Sequence, residues 1–294
     1  MSGSAGSTDH SKSPATEGYG LVLAGGSARG GYQIGVWKAL RERGIRIDAV
    51  VGTSIGAVNG VMVAQDSFES AYRLWQEIDM TRIIQTREQM PVPENLFDRR
   101  NLLPLARTLL QDHRFSTEPL RQLLIDHVDE KLLREHAIPY GLMTYSLTEH
   151  KPMALFIEHI PEGLVIDYIL ASSCLPLFKS VHINGHRMID GSVYNNLPTE
   201  MLLSRGYRRI IEVEIGGRGR VRTFDATGLE LIHIEPASSL FGAFNLRPEA
   251  RMERIRLGYE DAHAALDSHF ATAPASSGGD GRTAATVGMR PERS

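Results

Sequence analysis

Val50-Val51-Gly52-Thr53-Ser54-Ile55-Gly56-Ala57-Val58-Asn59-Gly60 joins an apolar run to a glycine-flanked serine and then to small residues of helical character. With Ile47 and Ala49 before it, the run reads as a buried strand that turns sharply into a helix. This is the pattern of a nucleophile elbow, in which the serine at the turn is held with its oxygen exposed. Gly52 and Gly56 are expected where the strand end and the helix start pass too closely for side chains. The helix N-terminus at Ser54 also supplies the positive end of a dipole.

Working outward, Tyr19–Ala24 reads as a short buried strand running into Gly25-Gly26-Ser27-Ala28-Arg29-Gly30-Gly31. A helix follows from about Tyr32 to Arg43, with Ile34, Trp37 and Leu40 facing inward and Gly44 ending it. Strand, helix, strand, helix implies parallel pairing with helices packed on the strands. The expected class is α/β: a mostly parallel central sheet, helices on both faces, and Ser54 at the carboxyl end of a strand.

Further helices are expected over Ser67–Ile78, from a Thr117 cap through about Val128, over Gly163–Ser172, near Thr199–Ser204 and over Pro248–Leu266. Strands are expected over Pro139–Leu147, Pro152–Glu158, His186–Ile189, Arg209–Ile215 and Glu230–Ile234. Residues 81–115 carry Pro91, Pro93 and Pro104 and read as an excursion with a short helix at Leu102–Leu110. Residues 1–17 and 271–294 are too polar and glycine-rich to offset ordering entropy and read as a disordered leader and tail around one domain, 18–270.

Composition narrows the function. Of 294 residues 42% are hydrophobic and 23% charged, as in an ordinary globular protein with a packed core. A net charge of -3 with scattered Lys and Arg argues against nucleic acid as a partner. One cysteine, Cys174, excludes an internal disulfide and a cysteine-rich zinc site, and it reads as a small buried residue. No apolar run is long enough to span a membrane. A cytoplasmic location, with peripheral contact to membrane, is the expectation.

Acyl transfer through serine needs a nucleophile, a proton acceptor and amide donors for the oxyanion. Ser54 is the candidate nucleophile, and the Gly25-Gly26-Ser27 turn, from the neighbouring parallel strand, can bring backbone N–H groups beside it. The same turn does not fit nucleotide binding. Serine stands at 27 where G-x-G-x-x-G needs glycine, no Lys-Ser/Thr follows the last glycine, and no acid closes the second strand. For the base the residues leave two choices open. Asp190 closes a strand before Gly191, a turn that would face its carboxylate into a cleft, although most Asp-Gly pairs are only turns. A histidine could serve instead; His233 lies in an alternating strand and His263 on an apolar-faced helix, settings that favour structural roles, while His182 and His186 flank a polar turn. Trp37 and Trp75 read as core, and no histidine–carboxylate group has metal-ligand spacing, so neither a metal nor another cofactor is expected.

Three segments in this order, Gly25-Gly26-Ser27-Ala28-Arg29-Gly30, Gly52-Thr53-Ser54-Ile55-Gly56 and Asp190-Gly191-Ser192, resemble the patatin-like phospholipases. Ala171-Ser172-Ser173-Cys174-Leu175-Pro176, Val193-Tyr194-Asn195-Asn196-Leu197-Pro198 and Leu257-Gly258-Tyr259-Glu260-Asp261-Ala262 extend the resemblance over roughly 19–268. The resemblance implies a Ser54–Asp190 dyad without histidine, an oxyanion hole of the Gly25, Gly26 and Ser27 amides, and an Arg29 that shapes the loop or meets a lipid phosphate. It implies a lipid ester substrate at a membrane surface, and an Asp190 whose pKa is raised by an apolar setting. Two positions depart from the family. Ser27 replaces a glycine, at a steric cost if φ there is positive, and Ser192 replaces Gly or Ala. The 81–115 excursion, with Leu96, Phe97, Leu102 and Leu103, is the candidate lid or lipid contact. Two rival readings stand beside this one: a conventional Ser-His-Asp esterase using His233 or His263, and a catalytically silent module that binds lipid or a partner. No particular protein partner is indicated.

Overall fold

Tyr19–Leu23 (β1) is apolar or glycine throughout and buried along its whole length, as befits a strand covered on both faces in the middle of a parallel sheet. The computed structural model describes residues 17–79, 116–175, 178–217, 219–240, 242 and 244–272. The expected 81–115 excursion, and all but the inner edges of the expected leader and tail, lie outside these residues.

After β1 the chain runs through α1 (Gly31–Glu42), β2 (Ile47–Thr53), α2 (Ile55–Ala64) and α3 (Phe68–Glu77). It continues with α4 (Glu118–His127), α5 (Glu130–Glu135), β3 (Tyr140–Ser146), β4 (Lys151–Phe156) and α6 (Val165–Ser172). Then come β5 (Val181–Ile183), β6 (His186–Asp190), α7 (Thr199–Leu203), β7 (Arg209–Val213), β8 (Glu230–Ile234) and α8 (Pro248–Thr272). The sheet order is β5-β6-β3-β2-β1-β7-β8, with β4 also on β3. From β3 to β8 the pairing is parallel, while β4, β5 and β6 are added antiparallel.

The two edges of β3 set the geometry of everything that follows. β4 occupies one edge over Gly141–Ser146. β2 and β6 share the other, β2 parallel over Tyr140–Met143 and β6 antiparallel over Thr144–Ser146. Two strands that approach along one edge from opposite directions meet at their carboxyl ends. Thr53 therefore sits opposite Met143, and Asp190 opposite the next residue, Thr144.

α8 crosses α1 at very short range. A Cβ on Gly35 would lie 2.0 Å from the Ile255 carbonyl oxygen, and one on Gly258 would lie 2.0 Å from that of Tyr32. This contact explains why α1 is buried on nearly all sides rather than along one stripe. Trp37 and Trp75 are core residues as expected.

Several local expectations need correction. Thr117 does not cap α4 through its hydroxyl; the Glu118 N–H donates to Ser116 Oγ instead, at 3.2 Å. α5, started by Asp129 accepting from the Leu132 N–H at 2.9 Å, and β5 are elements the sequence pattern did not separate. α8 runs six residues beyond Leu266, to Thr272. Among the described residues no helix is long and apolar enough to cross a membrane.

Candidate active site

β2 ends at Thr53, α2 begins at Ile55, and Ser54 between them has φ 56° and ψ -125°. Positive φ in a residue with a side chain costs on the order of 1–3 kcal/mol and persists only where the surroundings impose it. Here they do. A Cβ at Gly52 would stand 2.2 Å from the Gly56 carbonyl oxygen, and one at Gly56 would stand 2.1 Å from that of Leu23. The turn can be this tight only because both positions are glycine. The Ser54 N–H donates to Ser172 Oγ at 2.9 Å, and the Ser172 hydroxyl donates to the Met143 carbonyl at 2.7 Å. Ser172, the last residue of α6, thus fastens the elbow to β3, and Ser54 is left 6% exposed.

Asp190, at the end of β6, is 1% exposed. Its Oδ1 accepts the Ser192 N–H at 2.8 Å, and its own N–H donates to the Cys174 carbonyl at 2.9 Å. Gly191 lies against the Met143 carbonyl, where a Cβ would be 2.2 Å from the oxygen. Oδ2 is buried without a hydrogen bond of normal geometry. The Ser54 hydroxyl is nevertheless close enough to stabilise the carboxylate charge. Burial is the largest influence and raises the Asp190 pKa, with the bonds from Ser192 and Ser54 opposing it.

The glycine loop leaves β1 beside the elbow. The Gly25 N–H donates to the Asn196 carbonyl at 3.2 Å, so the expectation of three free donors is corrected to two. The N–H groups of Gly26 and Ser27 have no partner among the described residues. Ser27 has φ 56°, the conformation in which glycine would be unstrained, so the steric cost is present. Arg29 donates through Nη1 to the Gly216 carbonyl, which ties the loop to the segment after β7.

Chain-order reasoning assigned no role to the residues that brace this arrangement. Asn196 donates through Nδ2 to the Gly25 carbonyl at 3.1 Å and from its backbone to the Arg220 carbonyl, and the Arg220 N–H reaches the Ser192 carbonyl at 3.0 Å. The Asn195 carbonyl accepts the Thr53 hydroxyl at 2.9 Å. The signals were the Ala171–Pro176 and Val193–Pro198 stretches beside the motifs, but bracing depends on who meets whom across the sheet.

Strand order keeps His233 away from the elbow. β1 and β7 separate β2 from β8, so His233 is displaced by three strand spacings, about 14 Å. Its Nδ1 lies 3.1 Å from Glu212 Oε2. His263, on α8, packs edge-on against Tyr259 at 4.5 Å. Spacing along the chain suggested no metal-ligand group, yet the fold gathers Glu214, His233 and Glu235 with ligand atoms within 4.8 Å of one another. A surface cavity of about 660 Å³ between α1 and α3, lined by Lys38, Arg41, Phe68 and Tyr72, contains none of the residues described above.

Known proteins resemble the chain in the segment that holds this site. A sequence model of the family described as "Patatin-like phospholipase" matches residues 21–203. The rat "Patatin-like phospholipase domain-containing protein 7" is 28% identical over 205 residues, 67% of this chain and 14% of that protein. "Lysophospholipase NTE1" of Mycosarcoma maydis is 28% identical over 203 residues, 67% of this chain and 10% of that protein. The chain therefore spans only a small part of the curated relatives it matches. Among solved structures, VipD from Legionella pneumophila superposes with a TM-score of 0.57 at 17% identity, over 87% of this chain and 68% of that one, a likeness of fold.

Proposed function

The chain belongs to the patatin-like phospholipase family, and on that premise we propose that it is a serine lipid acyl hydrolase working through a Ser54–Asp190 dyad. The observation that carries the reading is the meeting of β2 and β6 on one edge of β3, with the buried Asp190 carboxylate close to the Ser54 hydroxyl.

In the first half-reaction Ser54 Oγ attacks the ester carbonyl carbon while Asp190 Oδ2 takes the hydroxyl proton. The Gly26 and Ser27 amides stabilise the oxyanion, and two preorganised donors suffice for a large share of such stabilisation. Collapse expels the alcohol, which receives the proton from Asp190 and leaves an acyl-serine. Water then attacks the acyl carbon, Asp190 accepts its proton and returns it to Ser54 Oγ as the acyl–Oγ bond breaks, and the carboxylic acid leaves. A carboxylate makes a better base when its pKa lies nearer the working pH, and burial moves Asp190 in that direction. Arg29 shapes the oxyanion loop by holding Gly216. The relatives' printed names include a lysophospholipase, and a lysophospholipid or phospholipid ester is the substrate class we assign. A single buried cysteine suits action in the reducing cytoplasm.

The Ser-His-Asp alternative loses support from the position of His233 across the sheet and from its pairing with Glu212. The strain at Ser27 is what favours the silent module. Fluorophosphonate labelling of the purified chain separates the readings. Wild type is expected to label, Ser54→Ala not at all, and Asp190→Asn at a rate lower by about 100-fold or more. Full labelling of Asp190→Asn would remove aspartate as the base, and a folded wild type that never labels would leave the binding module.

A further inference from the structure

Beside the Asp190 turn the chain presents arginines and aliphatic side chains to solvent together. Among the described residues five large hydrophobic side chains are exposed, and three of them, Ile125, Met252 and Phe270, stand on α4 and α8. The other two, Val193 at 46% and Val221 at 37%, lie on segments joined to each other. The Arg220 N–H bonds the Ser192 carbonyl at 3.0 Å, and the Arg222 N–H bonds Asn195 Oδ1 at 3.3 Å. Arg220 and Arg222, exposed on either side of Val221, have no acidic partner among the described residues. The Arg222 guanidinium rests over the Tyr194 ring, 4.6 Å from its centroid, which holds the charge at this rim. Of the neighbouring carboxylates, Asp225 is occupied by the Thr227 N–H and Glu200 by the Asn195 amide.

We propose that Val193, Tyr194, Arg220, Val221 and Arg222 form the rim by which this chain lies against an anionic lipid surface, presenting the Ser54–Asp190 site to it. The proposal rests on the lipid-hydrolase reading above and adds the charge of the surface and the face that meets it. Charge complementarity selects the partner. The chain carries a net charge of -3, so an anionic surface repels it in most orientations and attracts it only through a local cationic patch. Arginine and tyrosine suit the headgroup layer, where a charged or polar tip stays wet while the stem or ring lies on apolar material. The two valines stand where that apolar material begins. The rim also borders the parts that do chemistry, because Ser192 holds Asp190 Oδ1 and the Arg220 carbonyl receives Asn196, which in turn bonds Gly25.

The test uses the full chain as Ser54→Ala, so that lipid is bound but not cleaved, with ether-linked vesicles of phosphatidylcholine alone or equimolar with phosphatidylglycerol. Co-flotation is expected with the anionic vesicles only, weakening as salt is raised. Adding Arg220→Glu and Arg222→Glu is expected to lower vesicle partition at least about tenfold, since each basic residue near an anionic leaflet contributes measurably. Arg220→Lys with Arg222→Lys should retain it. Equal binding to neutral vesicles, insensitivity to salt, or undiminished binding by the charge-reversed chain would overturn the proposal. So would failure to bind either vesicle, which would turn the rim toward an acidic protein. Vesicle selectivity and salt dependence of the Ser54→Ala chain decide the matter even if the reversed variant does not fold. Because no step requires chemistry at Ser54, this result stands apart from the labelling experiment.

Discussion

Asp190 carries a stability consequence that a surface aspartate does not. In the unfolded chain it ionises near about pH 3.9, whereas burial raises its pKa in the folded protein. Below the unfolded value both states hold the proton, and the fold keeps its full stability. As pH rises toward and through the folded value, ionisation favours the unfolded chain and that stability is lost. Asp190→Asn keeps an oxygen for the Ser192 N–H and removes the charge. It is therefore expected to melt above wild type at neutral pH, with the gap closing below about pH 4, as thermal melts across pH would record. At this scale much was legible in the chain. Ser54 and the elbow glycines follow from residue type and order, Asp190 was one of two open choices until the family resemblance favoured it, and the steric cost suspected at Ser27 is visible in its φ of 56°. What could not be read is bonding across the sheet: that the Gly25 amide is taken by Asn196, or that Ser172 holds the Ser54 amide.

The elements were legible in proportion to how much of their burial is periodic. β1 and β2 are apolar runs between glycine turns, and they stand where the pattern put them. α8 is different, because its buried positions are Ala250, Arg251, Arg254, Ile255, Gly258, Ala262 and Leu266, a stripe in which arginines and small residues interrupt the large apolar ones. Such a stripe marks close backbone approach, which needs knowledge of the partner helix. Gly35→Ala tests the approach directly. Its methyl would lie 2.0 Å from the Ile255 carbonyl oxygen and 2.8 Å from the Tyr259 nitrogen, both backbone atoms that cannot swing aside. Urea denaturation is expected to register a loss of roughly 1–3 kcal/mol, the range in which overpacking forces backbone to move. A loss under about 0.5 kcal/mol would mean that the helices sit farther apart.

Across the whole molecule, Arg254 ties α8 to the glycine loop after β1. It is fully buried, and its guanidinium donates to the carbonyls of Ala28 at 2.9 Å, Leu240 at 3.0 Å, Gly242 at 2.9 Å and Asn245 at 2.5 Å. Burial first, and the charge of Arg29 second, push its pKa down to about 10. Removing one such side chain strands several buried acceptors at once. Arg254→Ala is expected to cost about 3–5 kcal/mol in denaturant unfolding, with Arg254→Lys recovering only part because one ammonium cannot reach four carbonyls. The charge pattern of α8 gave no hint of this, since an arginine among glutamates normally reads as a solvated face.

What the chain determined by itself is what depends on near neighbours. Glycines at 52 and 56 permit one kind of turn, serine stands at that turn between them, and runs of five buried residues make the bulk of β1 and β2. Tertiary structure decided which of the two candidate bases lies near that serine. Asp190 and His233 are both available in the sequence, separated from Ser54 by 136 and 179 positions, and neither distance along the chain favours one over the other. The sheet does, because β6 ends against β2 on a shared edge of β3 while β8 lies beyond β1 and β7. Proton transfer requires contact, and contact between distant segments is settled by strand order.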